Sequence, residues 1–475
     1  MKRKKVILEN LPVTSYAAEG KALGRVDGKV IFVEGAVPGD VADVLITKNK
    51  KDWAEGKAIN IKEFSKERVI PFCIHFGICG GCKWQMLPYE KQLQYKQQEA
   101  LDAFKRIGKL GEINMLPIIG SLETIHYRNK LEFTFSNKKF LTPLQLEDLG
   151  SDVWPGGALG YHVPRLYDKI IDIYECWLMD DVNNLIRNTL RDFSFKNNYS
   201  YYDIKEHKGW LRNVIIRKCT TRALMVNLIF GYDDEIEREK ICQHLLEKIP
   251  SITTLLYTIN SKWNDTIYDL EPKIVTGNVY IIEELGNYKF KISPKSFFQT
   301  NTKQTEKLYN IVKDFANLDN NNIVYDLYCG TGSIGIFLSR YAKKIIGVDV
   351  IEDAIKDAKE NAALNSIDHA SFFCGDVIDI CNDQFFTDNG RPDVVIVDPP
   401  RAGLHAKLVQ KLLEISPEKI VYVSCNVATQ ARDLQMLGEK YSVEKLQPVD
   451  MFPHTHHIEC VAVLRKNKKE SILFS

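Results

Sequence analysis

The chain has 475 residues, of which 45% are hydrophobic and 26% charged. Such a composition supports large cores, excludes global disorder and, at this length, suggests about three domains. Lys and Arg number 63 against 62 Asp and Glu, which excludes a histone-like positive coat but leaves room for a local basic face that binds nucleic acid.

The start, Met1-Lys2-Arg3-Lys4-Lys5-Val6, is basic, and the apolar stretch behind it is too short for a secretory signal. No run of ~18 apolar residues occurs, so no membrane span is expected. Eleven cysteines is an odd count. Without an export signal it points to a reducing, cytoplasmic compartment, where clustered cysteines read as metal or catalytic groups.

Short apolar runs at Val30–Val33, Val41–Ile46 and Ala58–Ile61 alternate with turn signals at Asp27-Gly28, Glu34-Gly35, Pro38-Gly39-Asp40 and Glu55-Gly56. They predict a small β-barrel over 1–63. Lys48, Lys50, Lys51 and Lys57 would line its rim, either as a solvated edge or as an RNA-binding face. Cys73, Cys79 and Cys82 follow with C-x5-C-x2-C spacing around Gly80-Gly81. Cys176 is the candidate for a fourth thiolate. Spacing alone does not separate a 4Fe-4S cluster from zinc.

A helix is predicted over Tyr89–Gly108. Mixed strand and helix patterns over 64–285 predict a central α+β domain. From Asn322 the rhythm becomes strand-helix-strand, so 286–475 is read as a doubly wound, mainly parallel α/β domain.

Asp326-Leu327-Tyr328-Cys329-Gly330-Thr331-Gly332-Ser333-Ile334-Gly335 runs from a strand into a helix, and Asp349 ends the next strand. Glycines permit a tight turn and close approach of a ligand, and the acid suits ribose hydroxyls. Both a dinucleotide and S-adenosylmethionine satisfy this pattern. Asp326 favours the second, because a carboxylate there repels a pyrophosphate and attracts a cation. Further on, Asp398-Pro399-Pro400-Arg401 ends an apolar strand at a rigid turn, and Cys425 ends the strand before Asn426. A cysteine at a strand's carboxyl end suits a nucleophile. Pro453-His454-Thr455-His456-His457-Ile458-Glu459 sets histidines beside a carboxylate, with a zinc site as one reading.

In order and spacing, the runs Asp326–Gly335, Asp398–Arg401, Ser424–Asn426 and His454–Glu459 resemble those of the uridine carbon-5 RNA methyltransferases. The barrel and the cysteine stretch resemble those of the branch with a TRAM domain and an iron–sulfur cluster. The resemblance implies a class I methyltransferase domain at the C-terminus, with Cys425 as nucleophile and Glu459 as base. It implies S-adenosylmethionine contacts at Gln299, Tyr328, Ser333, Asp349, Asp376 and Asp398. It also implies a 4Fe-4S cluster on Cys73, Cys79, Cys82 and Cys176, with zinc as the alternative. The implied partner is structured RNA, with 23S ribosomal RNA ahead of transfer RNA, for a chain expected to act as a monomer. Two departures stand out: the family's proline after Ser-Cys-Asn is Val427 here, and Asp349 replaces a common Glu. An RNA-binding assembly factor with a vestigial fold is disfavoured by the intact Cys425 and Glu459. An NAD-linked oxidoreductase is disfavoured by Asp326.

Overall fold

Five N-terminal strands, β1 (Ile7–Tyr16), β2 (Ala22–Val26), β3 (Lys29–Glu34), β4 (Val41–Asn49) and β5 (Trp53–Glu63), close into a barrel in the order β1-β2-β3-β5-β4. Alternate residues point inward, so Leu11, Val13, Ile31, Val33 and Val44 fill the interior. Asp27 and Gly28 both adopt positive φ (48° and 78°), the geometry of a tight β2–β3 hairpin turn. Gly56 is needed for closure: a Cβ there would stand 2.4 Å from Val44 Cγ1. This computed structural model describes residues 6–142, 145–147 and 156–467. The basic start at 1–5 lies outside the described residues.

Contacts gather the chain into two units. The first takes residues up to Gly77, Gly81–Thr124 and Asp398 onward; the second takes Ile78–Gly80 and Ile125–Val397. The barrel shares the first unit with helix α1 (Tyr89–Arg106).

The second unit begins with a seven-stranded sheet. Its strands are β6 (Lys130–Ser136), β7 (Ala158–Val163), β8 (Leu166–Asp172), β9 (Leu211–Lys218), β10 (Leu224–Phe230), β11 (Thr254–Ile259) and β12 (Lys273–Thr276), in the order β12-β11-β10-β9-β6-β7-β8. Helix α2 (Val182–Lys196) connects β8 to β9. Helix α3 (Glu235–Lys248) bridges β10 and β11, the parallel pair, as a parallel connection requires. A hairpin, β13 (Ile281–Leu285) and β14 (Tyr288–Ile292), leads into α4 (Thr302–Ala316).

Four parallel strands complete this unit: β15 (Ile323–Leu327), β16 (Lys344–Asp349), β17 (Ala370–Cys374) and β18 (Val394–Val397). Helix α5 (Ser333–Leu338) follows β15, α6 (Glu352–Leu364) follows β16, and α7 (Val377–Ile380) and α8 (Asp383–Asn389) follow β17. The order β17-β16-β15-β18 reverses direction at β15. Open α/β sheets bind ligands at the carboxyl ends beside such a reversal. Buried apolar residues dominate these strands, with β18 apolar from end to end, as expected when both faces of a sheet are covered.

The rest of the first unit comprises α9 (Ala406–Ile415), β19 (Lys419–Ser424), α10 (Val427–Leu437), β20 (Tyr441–Val449) and β21 (Glu459–Lys466). β21 pairs antiparallel with both β19 and β20. No helix among the described residues is long and apolar enough to cross a membrane.

Candidate active site

The glycine turn lies at the carboxyl end of β15. Tyr328, Gly330 and Gly332 all have positive φ (63°, 52° and 76°), which for tyrosine is a strained conformation of the kind found at functional turns. Asp349 Oδ2 accepts the Gly330 N–H at 2.9 Å, and its Oδ1 accepts the Ile351 N–H at 3.0 Å. Asp326 is fully buried, and its Oδ2 accepts the Gly335 N–H at 2.9 Å. The sequence suggested that Asp326 faces the ligand, yet one of its oxygens is committed to fixing the start of α5.

Ser333 Oγ is 2.7 Å from the Tyr309 hydroxyl. Asp376 lies just past the β16–β17 pairing and caps α7 through the Ile378 N–H at 2.9 Å. Gln299 stands on the stretch before α4, where Asn129 Nδ2 donates to its carbonyl at 3.0 Å. The same stretch is tied to α6 by Ser296 Oγ donating to Asp357 at 2.7 Å.

A nucleoside cofactor fits here. A Cβ built on Gly330 meets nothing within 4 Å, whereas one on Gly332 would stand 2.9 Å from Phe372. The loop is therefore packed behind and open at Gly330, beside the Asp349 carboxylate. Val350 and Ile351 are more than half exposed directly after it, two apolar side chains that an adenine ring could cover. The sequence reading passed over them, although an apolar pair after a ribose-binding acid was a visible signal.

In the first unit, the chain brings Asp398, Arg401, Cys425 and Glu459 into one electrostatic neighbourhood. Cys425 sits in the strand-turn-helix junction between β19 and α10. Asn426 Oδ1 caps α10 by accepting the Ala428 and Thr429 N–H groups (3.1 and 3.4 Å), while its Nδ2 donates to the Arg401 carbonyl at 3.2 Å. Burial pushes the Cys425 thiol up to about 11; the Glu459 and Asp398 carboxylates add to this, and Arg401 opposes it. Glu459 is 4% exposed. Burial first, then Asp398, hold its carboxyl well above the usual range, again against Arg401. Loss of hydration alone raises Asp398 to about 7. A thiol, two carboxyls raised above their usual range and a cation that act on one another mark a candidate chemical site.

The sequence placed Arg401 and His457 in two of the runs, Asp398–Arg401 and His454–Glu459, but gave neither a role and did not pair them. Arg401 Nη2 is 2.7 Å from His457 Nδ1. A guanidinium only donates, so Nδ1 accepts and the ring proton resides on Nε2. His457 thus holds a cation that favours a charged Cys425.

The other histidines do different work. His454 Nδ1 is 3.1 Å from Gln92 Nε2, and its backbone N–H donates to Gln92 Oε1 at 2.8 Å. Burial lowers His454 and His456 to about 4, so both are neutral near pH 7. Among the described residues no group of three or more His, Cys, Asp or Glu side chains is placed to hold a metal ion, so this segment carries no zinc cage.

Helix α1 clamps the loop that delivers Glu459. Tyr89, Gln92 and Lys96 share one face at spacings of three and four. Tyr89 Oη donates to Asp450 at 2.8 Å, and Lys96 Nζ reaches Asp450 at 2.7 Å with both side chains fully buried. Lys96→Met is therefore expected to strand a buried carboxylate and cost about 3–5 kcal/mol in denaturant unfolding. A loss below about 1 kcal/mol would show that the Asp450 side chain is satisfied without Lys96.

With this geometry in view, the comparisons are decisive. Residues 269–467 match the family model described as tRNA (Uracil-5-)-methyltransferase, and 10–59 match the TRAM domain. An uncharacterized RNA methyltransferase of Bacteroides thetaiotaomicron is 48% identical over 94% of this chain and 99% of its own length. The chain belongs to the RNA (uracil-5-)-methyltransferase family. A relative in Porphyromonas gingivalis, also an uncharacterized RNA methyltransferase, is 46% identical over 96% of this chain and 100% of its own. The crystal structure of Pyrococcus abyssi tRNA (uracil-54, C5)-methyltransferase with S-adenosyl-L-homocysteine is similar at 28% identity. It covers 95% of this chain and 99% of that one, with a TM-score of 0.72.

The protein is thus an S-adenosylmethionine-dependent RNA methyltransferase with an N-terminal TRAM barrel. Lys48, Lys50, Lys51 and Lys57 are all exposed on that barrel, and Lys48 Nζ stands 4.6 Å from the centre of the Trp53 ring. Cations beside an aromatic ring suit a nucleic-acid backbone and its bases.

The departure at Val427 has a local explanation. Val427 is the first residue of α10, where proline's missing N–H is harmless and its fixed φ merely preorganises the helix. Asn426 supplies the cap in either case.

The four candidate metal cysteines are divided. Cys73 and Cys82 belong to the first unit and are half-buried. Cys79 and Cys176 belong to the second, where burial and then both thiols raise the Tyr161 hydroxyl. Among the described residues no group of three or more His, Cys, Asp or Glu side chains is placed to hold a metal ion, and no chemical step is routed through a cluster.

Proposed function

We propose that this enzyme forms 5-methyluridine in structured RNA through covalent addition of Cys425 to the target base. The observation that carries the reading is the shared environment of Cys425, Glu459, Asp398 and Arg401. Uracil carbon 5 is a weak nucleophile. Addition of the Cys425 thiolate to carbon 6 converts the ring to an enolate, and carbon 5 then attacks a methyl donor. S-adenosylmethionine, when bound, would supply the methyl group as an electrophile with the thioether as its leaving group. Glu459, ionised at that point, takes the carbon-5 proton; the carbon 5–carbon 6 double bond re-forms and the thiolate leaves. Burial makes Glu459 a stronger base than a solvated carboxylate. Arg401, held by His457, stabilises negative charge at Cys425.

Gln299, Tyr328, Ser333, Asp349, Asp376 and Asp398 are proposed to hold the cofactor, with Asp349 on the ribose hydroxyls. We infer 23S ribosomal RNA as the substrate from the resemblance of the cysteine stretch to that of the cluster-bearing branch, which implies a 4Fe-4S cluster on Cys73, Cys79, Cys82 and Cys176 although the described residues show no group placed to hold a metal. Iron and sulfide analysis of anaerobically purified protein tests the cluster, and stoichiometric zinc alone would overturn it. Transfer RNA is the second reading, favoured by the Pyrococcus abyssi relative, whose own substrate is tRNA.

Mapping of 5-methyluridine in total RNA from a deletion strain tests the function. Loss of one or more 23S sites is expected. Loss confined to tRNA would move the substrate without changing the chemistry, and an unchanged map would overturn the proposal.

A further inference from the structure

The second unit holds an indole rigidly in water. Trp263 is 77% exposed, yet the loop that carries it is fixed by a buried guanidinium. Arg212 on β9, 1% exposed, donates to the carbonyls of Asn260 and Lys262 at 2.6 Å and of Asn264 at 3.0 Å, and to Asp265 Oδ1 at 2.7 Å. Asn260 braces the same turn from inside, donating to the Asn264 carbonyl at 2.9 Å and accepting the Lys262 N–H at 3.1 Å.

A second fixed loop places His207 against the indole. The rings lie 4.8 Å apart and within 8° of parallel. Asp203 Oδ1 accepts the Lys205 and Glu206 N–H groups, and the His207 N–H donates to the Asp203 carbonyl at 2.8 Å. His207 itself takes a left-handed backbone, φ 54°, a conformation kept where the surroundings enforce it. Two loops are thus each built to hold an exposed ring, where burial gives no reason to do so.

The surroundings select the partner. Ser261, Asn264, Asp265 and Thr266, the chain neighbours of Trp263, are polar and exposed, so the loop itself adds no apolar side chain to the exposed ring of the kind a protein interface core needs. Lys205 and Lys208 are exposed beside His207, Lys262 precedes Trp263, and Tyr167 is 65% exposed within 5.8 Å of Lys205 Nζ. Lys205 and Lys262 pair with Asp168 and Asp269, so the grip comes from ring faces more than from charge.

We propose that Trp263, backed by His207, is a stacking platform for an unpaired base of the RNA substrate, separate from the target uridine. This rests on RNA being the substrate, and not on the carbon-5 chemistry.

The test uses the full-length protein and a short mixed-sequence single-stranded RNA, with the same strand carrying abasic residues as control. Trp263→Ala is expected to weaken binding on the order of tenfold, the range for one stacked base. Trp263→Phe should retain most of the affinity, and the salt dependence should stay unchanged because no phosphate contact is lost. On the abasic strand, wild type and Trp263→Ala should bind alike. Unchanged affinity in Trp263→Ala, or an equal loss on the abasic strand, would overturn the platform. So would a change of oligomeric state in Trp263→Ala, which would assign the surface to protein contact. Failure of wild type to bind either strand would overturn it together with the RNA reading, whereas a failure of 5-methyluridine formation alone would leave it standing. S-adenosylmethionine affinity, unaltered in the variant, reports that this unit remains folded.

Discussion

Cys425→Ala is expected to lose methyl transfer to RNA by on the order of 10⁴-fold or more, the scale seen when a covalent nucleophile is removed. The size follows from chemistry: without addition at carbon 6 there is no enolate, and carbon 5 has no electrons to offer the methyl group. S-adenosylmethionine affinity should be unaffected, because Gly330, Asp349 and their neighbours belong to the other unit. Incorporation of labelled methyl into RNA from a deletion strain measures the effect. Normal turnover by Cys425→Ala would remove the covalent mechanism.

The second large effect concerns Arg401 and pH. With its thiol at about 11, Cys425 holds only about one thiolate per thousand at pH 8. Alkylation of Cys425 in the free protein, followed by peptide mass spectrometry, should therefore climb with pH through the alkaline range. Arg401 is the group that draws the thiol down. Arg401→Ala should shift the profile to higher pH and slow alkylation at any fixed pH below the midpoint. Arg401→Lys, which keeps a cation, should lie near wild type. His457→Ala should show the same direction at smaller size, since it frees the guanidinium without removing it. A wild-type midpoint below pH 8, or a profile indifferent to Arg401→Ala, would contradict this assignment.

Much of the architecture was legible because its signals are local. Apolar runs such as Val394–Val397 in β18 and Ile420–Val423 in β19 carry the strand-helix-strand rhythm predicted from Asn322 onward, and the strands observed there follow it. Asp27-Gly28 marked its hairpin because both residues adopt positive φ there. By contrast, β1 and β2 were not read as strands. Asn10 in β1 has positive φ, Pro12 interrupts the run, and pairing with β4 shifts register between Leu8 and Leu11. A bulge erases the alternation on which strand reading depends.

The candidate site was legible where one motif carries one role, as at Asp349 with the Gly330 amide. It was not legible where distant segments meet. Gln92 and Lys96 looked like ordinary polar residues of a helix, yet they form its buried face against Asp450 and His454. Similarly, the three histidines before Glu459 look equivalent in sequence. The fold gives His454 to α1 and His457 to Arg401, which is a consequence of long-range packing.

The most direct test of the central claim is Glu459→Gln with methyl-labelled S-adenosylmethionine and RNA from a deletion strain. The substitution keeps the side chain's size and removes the base. Addition and methyl transfer proceed, but the carbon-5 proton stays and the thiol cannot leave. A methylated protein–RNA adduct that survives denaturation and maps to the Cys425 peptide is the expected result. Free turnover with no adduct would show that Glu459 is not the base, and a methylated adduct mapping to any other cysteine would contradict Cys425 as the nucleophile.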